Sequence, residues 1–213
     1  MDRFRHPLFR RAGKIDDAMT TVLVALHYQN EVMHAAGKIR VGVAEDGRNR
    51  DDLQTRAREL LAFARSHDIP VVSVRIAFRP DHADVVQNCR IFRNVVAGKA
   101  MIEGSWGTEF HDGLGPVGDE FVVKHTRVNA FYGSQLAEVL EILGAERLIF
   151  AGVSSTSVVI TTVAAAADMG FEVIVVEDAS SAADPALHDA AMEMMRLVAD
   201  VVTVKTLESA LAR

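Results

Sequence analysis

The stretch Ala151–Thr162 reads AGVSSTSVVITT, a strand end, a tight turn of small residues and the start of a helix. This is the layout of a nucleophile site, because the first amides of a helix have no intrahelical partner and can hold an oxyanion or carboxylate. The hydroxyls available in the turn belong to Ser154, Ser155, Thr156 and Ser157, residue types that also cap helix starts. The chain has a single cysteine, Cys89, far upstream of this turn. Two of the histidines, His27 and His125, follow apolar runs of strand length. Neutral imidazole serves as base, acid or metal ligand near physiological pH. Two imidazoles close together each disfavour protonation of the other, so such a pair carries at most one proton around pH 7. A metal would need a third ligand, for which only Glu31 offers itself, and no spaced motif such as HExxH is present. The expectation is therefore no metal and no cofactor; no glycine pattern for a dinucleotide follows the first strand.

Elements must bring these groups together. Apolar runs recur at Thr21–Leu26, Pro70–Ile76, Glu120–Val123, Arg147–Ala151, Glu172–Val176 and Val201–Val204. They are continuous rather than alternating, as in strands buried on both faces. Helical patterns lie between most of them, at Asp51–Arg65, Ser134–Leu143, Thr156–Met169 and Pro185–Val198. The alternation predicts a three-layer α/β/α domain with a parallel sheet of about six strands. The segment Phe78–Pro116 is long and weakly periodic, which marks a lid or pocket wall beyond the carboxyl ends of the strands. Its tryptophan, Trp106, is read either as lining the pocket or as a wedge that packs the loop. Arg75 and Arg79 could meet a substrate carboxylate or a nearby Asp or Glu. His82, His111 and His188 are read as solvated, and Met192, Met194 and Met195 as core or oligomer contacts.

A length of 213 residues suits one domain, and 49% hydrophobic with 24% charged residues is ordinary for a globular protein. A formal net charge of −6 argues against a nucleic-acid partner. No apolar run reaches the roughly 20 residues needed to span a bilayer. One cysteine excludes an internal disulfide framework and makes the cytoplasm the default. The basic start, residues 1–19, lacks the apolar middle of a secretory signal and is read as an N-terminal extension ahead of a single domain at 20–213.

Six landmarks together carry a family resemblance over roughly Thr20 to Thr203: VLVALHYQN, VSVRIAFRP, WGTEFHDGLGP, KHTRVNAFYGSQL, AGVSSTSVVITTVAAAADMGF and VVEDASSA. Jointly they resemble the isochorismatase-like family, also called cysteine hydrolases. The resemblance implies the Rossmann-like fold of those hydrolases, a small-molecule substrate and a homo-oligomer, dimer or tetramer. In that family a glycine is followed six residues later by the catalytic cysteine; counted from Gly152, the position holds Val158. The family's aspartate before the Gln-Asn pair corresponds to His27. Its lysine, six residues before a phenylalanine, corresponds to His125 when counted from Phe131, or to Lys124 if one residue is inserted. Adjacent strand residues point to opposite faces, so only one of the two can enter the site. The resemblance also implies a cis peptide at Val153–Ser154. Asn30 and Phe131, inside preserved landmarks, join Ser154, Ser157, Trp106 and Arg75 as substrate-contact candidates. The nicotinamidase metal motif of some relatives would fall at Arg75-Ile76-Ala77, which does not carry it.

Valine has no nucleophilic atom, so a covalent route through position 158 is closed, and Ser157 is rotated about 100° from it on the helix. Three readings follow. One is a hydrolase of a small anionic, amide, ester or enol-ether metabolite that uses histidine-assisted water. Another is a retired family member that binds a ligand or acts as a scaffold. The weakest is a hydrolase that uses Cys89.

Overall fold

The computed structural model describes residues 19–44, 47 and 49–212, so the expected extension lies, Met19 apart, outside the described residues. In chain order the elements are β1 (Thr21–Leu26), α1 (Asn30–Met33), α2 (Arg50–Ser66), β2 (Val71–Ile76), α3 (Arg90–Ala97), β3 (Phe121–His125), α4 (Leu136–Leu143), β4 (Arg147–Gly152), α5 (Ile160–Asp168), β5 (Glu172–Val176), α6 (Pro185–Met195), β6 (Asp200–Val202) and α7 (Leu207–Leu211). All neighbouring strands are parallel, in the order β3-β2-β1-β4-β5-β6. The expected three-layer α/β fold with a six-stranded parallel sheet is present. Among the described residues no helix is long and apolar enough to cross a membrane.

Alternation along the strands gives each face of the sheet its own core. Leu23, Ala25, Ile149 and Ala151 pack with the apolar stripe of α2, Leu53, Ala57, Leu60, Leu61 and Ala64, and with Leu207 and Ala210 of α7. Val22, Val24, Leu26, Leu148 and Phe150 pack on the opposite side with α4, α5 and α6. Met192 and Met195 belong to that second core, while Met194 is exposed. α6 begins where Asp184 accepts from the Ala186 amide ahead of Pro185, and α4 ends on the left-handed Gly144, as cap chemistry dictates.

Three elements differ from the sequence reading. β3 starts one residue later and runs two residues further, to His125, and its burial alternates because it is an edge strand. Phe121 and Val122 are partly exposed there. Within the long segment, which the sequence reading left without a helix, Arg90–Ala97 is helical with Phe92 and Val95 inward. The helix expected from Thr156 opens as a wider turn over Ser155–Val159, in which the Val159 amide donates to the Ser154 carbonyl five residues back. Regular α geometry begins only at Ile160.

β1 and β4 lie in direct register from Thr21↔Arg147 to Leu26↔Gly152. Gly152 has φ +146°, and a Cβ there would overlap the Leu26 carbonyl oxygen. Glycine is required at this position by both dihedral and close approach. Gly152→Ala is therefore expected to destabilise the fold by more than about 2 kcal/mol, which chemical denaturation checks; an unchanged midpoint would refute the close approach.

Candidate active site

The strand order reverses direction between β1 and β4, and helices leave these strands toward opposite faces of the sheet. A crevice opens at such a point, beyond the carboxyl ends of the strands. His27 follows β1, His125 ends β3, and Val153-Ser154 follows β4, so all three arrive at this crevice. His27 adopts φ +59°, the left-handed region, with its amide donating to the Val74 carbonyl at 2.9 Å. A non-glycine residue held there costs local strain of about 1 kcal/mol or more, and histidine is among the residues that accept it best. The Val153–Ser154 peptide is cis, as the resemblance implies.

The His27 and His125 Nε2 atoms are 2.5 Å apart, with ring centroids at 4.7 Å and planes inclined by 28°. Both side chains are buried. One proton can lie between the two nitrogens, donated by either ring. Burial, and then the neighbouring His125, push the His27 pKa well below the ordinary histidine value, while the Val153 backbone opposes this. Burial brings His125 down to about 4, with the Asn129 backbone opposing. No hydrogen bond of good geometry reaches His125 Nδ1, so the Asn129 carbonyl acts on the ring as a nearby dipole. At neutral pH the pair is accordingly uncharged: desolvation outweighs the two carbonyl dipoles.

Register across the sheet decides which residue of Lys124-His125 meets His27. β2 and β3 pair Ile76 with His125 and Arg75 with Lys124. Ile76 and His27 line the same cleft, whereas Lys124 and Arg75 both turn to Glu103, at 2.9 and 2.7 Å. Burial raises the Glu103 carboxyl, but the hydrogen bonds from Lys124 and Arg75 hold it below its usual value. The alternative in which Lys124 faces the site is thus corrected, and Arg75 is an ion-pair partner rather than a substrate contact.

The remaining candidates have the following surroundings. Asn30 donates to the Trp106 carbonyl at 3.1 Å and accepts from the His111 ring at 3.0 Å, so it fastens the long segment. Trp106 is 46% exposed, packs edge-on against His34 and lies outside the cleft. Phe131 packs against the core beside α4 and α5. His111 is therefore not simply solvated; nor are His82, bonded to the Ala100 carbonyl, and His188, bonded to Ser155 Oγ. Glu31 accepts from the Lys38 amide and packs against Gly107, not against the histidines. Cys89 precedes α3, packs on the core and does not line the cleft.

The cleft itself is mostly apolar. Val32, Ile39, Val41, Ile76, Ile91, Phe92, Val95, Met101, Val128, Val153 and Val158 surround four polar side chains, His27, Ser154, Ser157 and Arg127. Its empty space is about 480 Å³, open solvent at the mouth included. Ile91, Phe92, Val95 and Met101 come from the long segment, which forms a wall of the cleft. Arg127 and Phe92 were missed by sequence reasoning. Arg127 sits inside the KHTRVNAF landmark, where it served only to fix the register.

The turn's donors are largely engaged. The Ser155 amide donates to Ser181, Thr156 to Ser154 Oγ, and Ser157 and Val159 to the Ser154 carbonyl. Val158, at the position the resemblance assigns to a nucleophile, is 2% exposed and packs into the core below the turn.

A family model described as the isochorismatase domain matches residues 21–206. An uncharacterized isochorismatase family protein, YecD, of Escherichia coli O157:H7 is 27% identical over 173 residues, 81% of this chain and 86% of its own. Maleamate amidohydrolase of Pseudomonas putida is 28% identical over 123 residues, 58% of this chain and 57% of its own. A crystal structure of an isochorismatase family protein from Desulfovibrio vulgaris superposes with a TM-score of 0.80 at 26% identity, over 92% of this chain and all of that one.

A histidine whose folded pKa is depressed stabilises the fold above its unfolded pKa and loses that contribution as pH falls through the folded value. For His125 the window runs from about pH 6.5 down to about 4, and the loss is at most about 3 kcal/mol. His125→Gln should therefore flatten the decline of unfolding free energy across this window, measured by denaturant titrations at several pH values. Parallel curves for variant and wild type would show that the histidine is not buried in its neutral form.

Proposed function

This chain belongs to the isochorismatase family, and on that premise we propose that it is a hydrolase of a small amide or ester that uses histidine-activated water and no covalent cysteine intermediate. The observation that carries this reading is the buried Nε2–Nε2 contact between His27 and His125 at the head of an apolar cleft. His27 lines the cleft and His125 stands behind it, so His27 meets the water while His125 fixes the ring's orientation and tautomer. A neutral imidazole is the form required of a base. Water attacks the carbonyl carbon, His27, whose Nε2–H donates to His125, takes its proton at Nδ1, and the same proton passes to the leaving nitrogen or oxygen as the bond to it breaks. The oxyanion formed on the way is assigned to the amides of Ser154 and Val158, at the positive end of the helix that follows.

The neutral pair disfavours the enol-ether route, which needs a protonated acid to deliver a proton to carbon. An amide is also the bond named for the Pseudomonas putida relative. The competing reading, a ligand-binding protein on a retired hydrolase fold, draws on Val158, buried at the nucleophile position.

Replacing His27 or His125 by alanine is expected to lower turnover of small amides such as maleamate roughly 100-fold or more, with the folded state retained by circular dichroism. The wild-type pH–rate profile should stay flat through the ordinary histidine range near about 6.5 and fall only well below it, because both histidine pKa values are depressed. Variants that turn over as fast as wild type would exclude acid–base chemistry by this pair. A wild type that binds small amides without hydrolysing them would favour the binding reading.

A further inference from the structure

We propose that Arg127 is the specificity-determining residue of this cleft and that it selects a substrate bearing a carboxylate on a flat, apolar body. The proposal rests on the cleft being the substrate site, and it adds what that substrate must carry.

Arg127 is the only formally charged side chain among the described residues that line the cleft, and no carboxylate lines it. Its guanidinium carbon stands 4.3 Å from the centroid of the Phe92 ring, an arrangement that fixes the plane of the cation. Its other contacts are neutral acceptors, the Val86 carbonyl at 3.3 Å and Asn88 Oδ1 at 3.1 Å. Among the described residues no Asp or Glu pairs with it, in contrast to Arg65, Arg75, Arg79, Arg147 and Arg196. Most of the five N–H donors of the fork therefore remain for a ligand.

A positive charge held beside apolar walls, with no counter-charge, is complementary to an anion. A planar fork matches a carboxylate through paired hydrogen bonds, which a lysine cannot reproduce. The remaining wall, Ile91, Phe92, Val95, Val128 and Met101, offers contact only to apolar surface. A substrate satisfying both would place its carboxylate on Arg127 and its flat body along Phe92. Its scissile carbonyl would then extend toward His27 and the Ser154 turn. The uncharged histidine pair leaves Arg127 as the one group that distinguishes an acid from a neutral molecule of the same shape.

Benzoate and nitrobenzene, nearly isosteric, differing in charge and neither hydrolysable, test this by calorimetry on the full chain. Wild type should bind benzoate at least tenfold more tightly than nitrobenzene. Arg127→Gln should abolish the preference and Arg127→Lys should restore it only in part, with thermal unfolding confirming that both variants fold. A preference unchanged in Arg127→Gln, or absent in wild type, would overturn the assignment. In the same preparations, Arg127→Gln should raise KM for maleamate with little change in kcat. Loss of turnover in the His27 variants with an unaltered acid preference would leave the hydrolase reading standing while this proposal is judged on Arg127 alone.

Discussion

Everything about this site depends on how closely β1 and β4 approach at their carboxyl ends. The pair runs in register to Leu26↔Gly152, and Gly152 presses its Cα against the Leu26 carbonyl where any side chain would collide. Just beyond, the Val153 amide still donates to Leu26 at 3.1 Å, so the two chains leave the sheet side by side. One turns into the left-handed His27 and the other into the cis Val153–Ser154 peptide. The helices after the two strands lie on opposite faces, and the crevice between them needs no further device to open.

Around that seam, polar groups are fastened so that few remain for a ligand. Gln29 donates to the carbonyls of Ile76 and Thr108 and accepts from the Ile76 amide, which ties the ends of β1 and β2 to the long segment. Tyr28 reaches across to the Ala179 carbonyl at 2.6 Å. Such fully satisfied buried groups rigidify a framework, because leaving any of them unpaired would cost about 1–3 kcal/mol. The exceptions at the cleft are a histidine pair bonded to itself and an arginine held by neutral acceptors.

These two exceptions divide the electrostatic work. Desolvation keeps the histidines uncharged, the form from which a base starts, while lowering their basicity. Arg127 cannot lose its charge and keeps it beside Phe92. On the proposed reading, a cleft with one permanent cation and an uncharged histidine pair would favour an anionic ligand without altering the charge of the pair.

Strand-length apolar runs made the six-stranded parallel sheet readable, because strands buried on two faces must be apolar throughout and helices must cover both sides. β3 was read less well, since an edge strand buries one face and its run of apolar residues breaks early. The chain also determined which atoms exist: valine at position 158, histidines at 27 and 125, and one cysteine well away in sequence. Sequence could not decide whether Lys124 or His125 faces His27, because that depends on pairing with β2, where a shift of one residue exchanges the two faces. Nor could it show that Asn30 and Trp106 brace the long segment, or that Arg127 rather than Arg75 reaches the cleft. The protonation state of the histidines belonged to the tertiary structure as well, for a pKa follows from the solvent and charges around a ring and not from the residue that carries it.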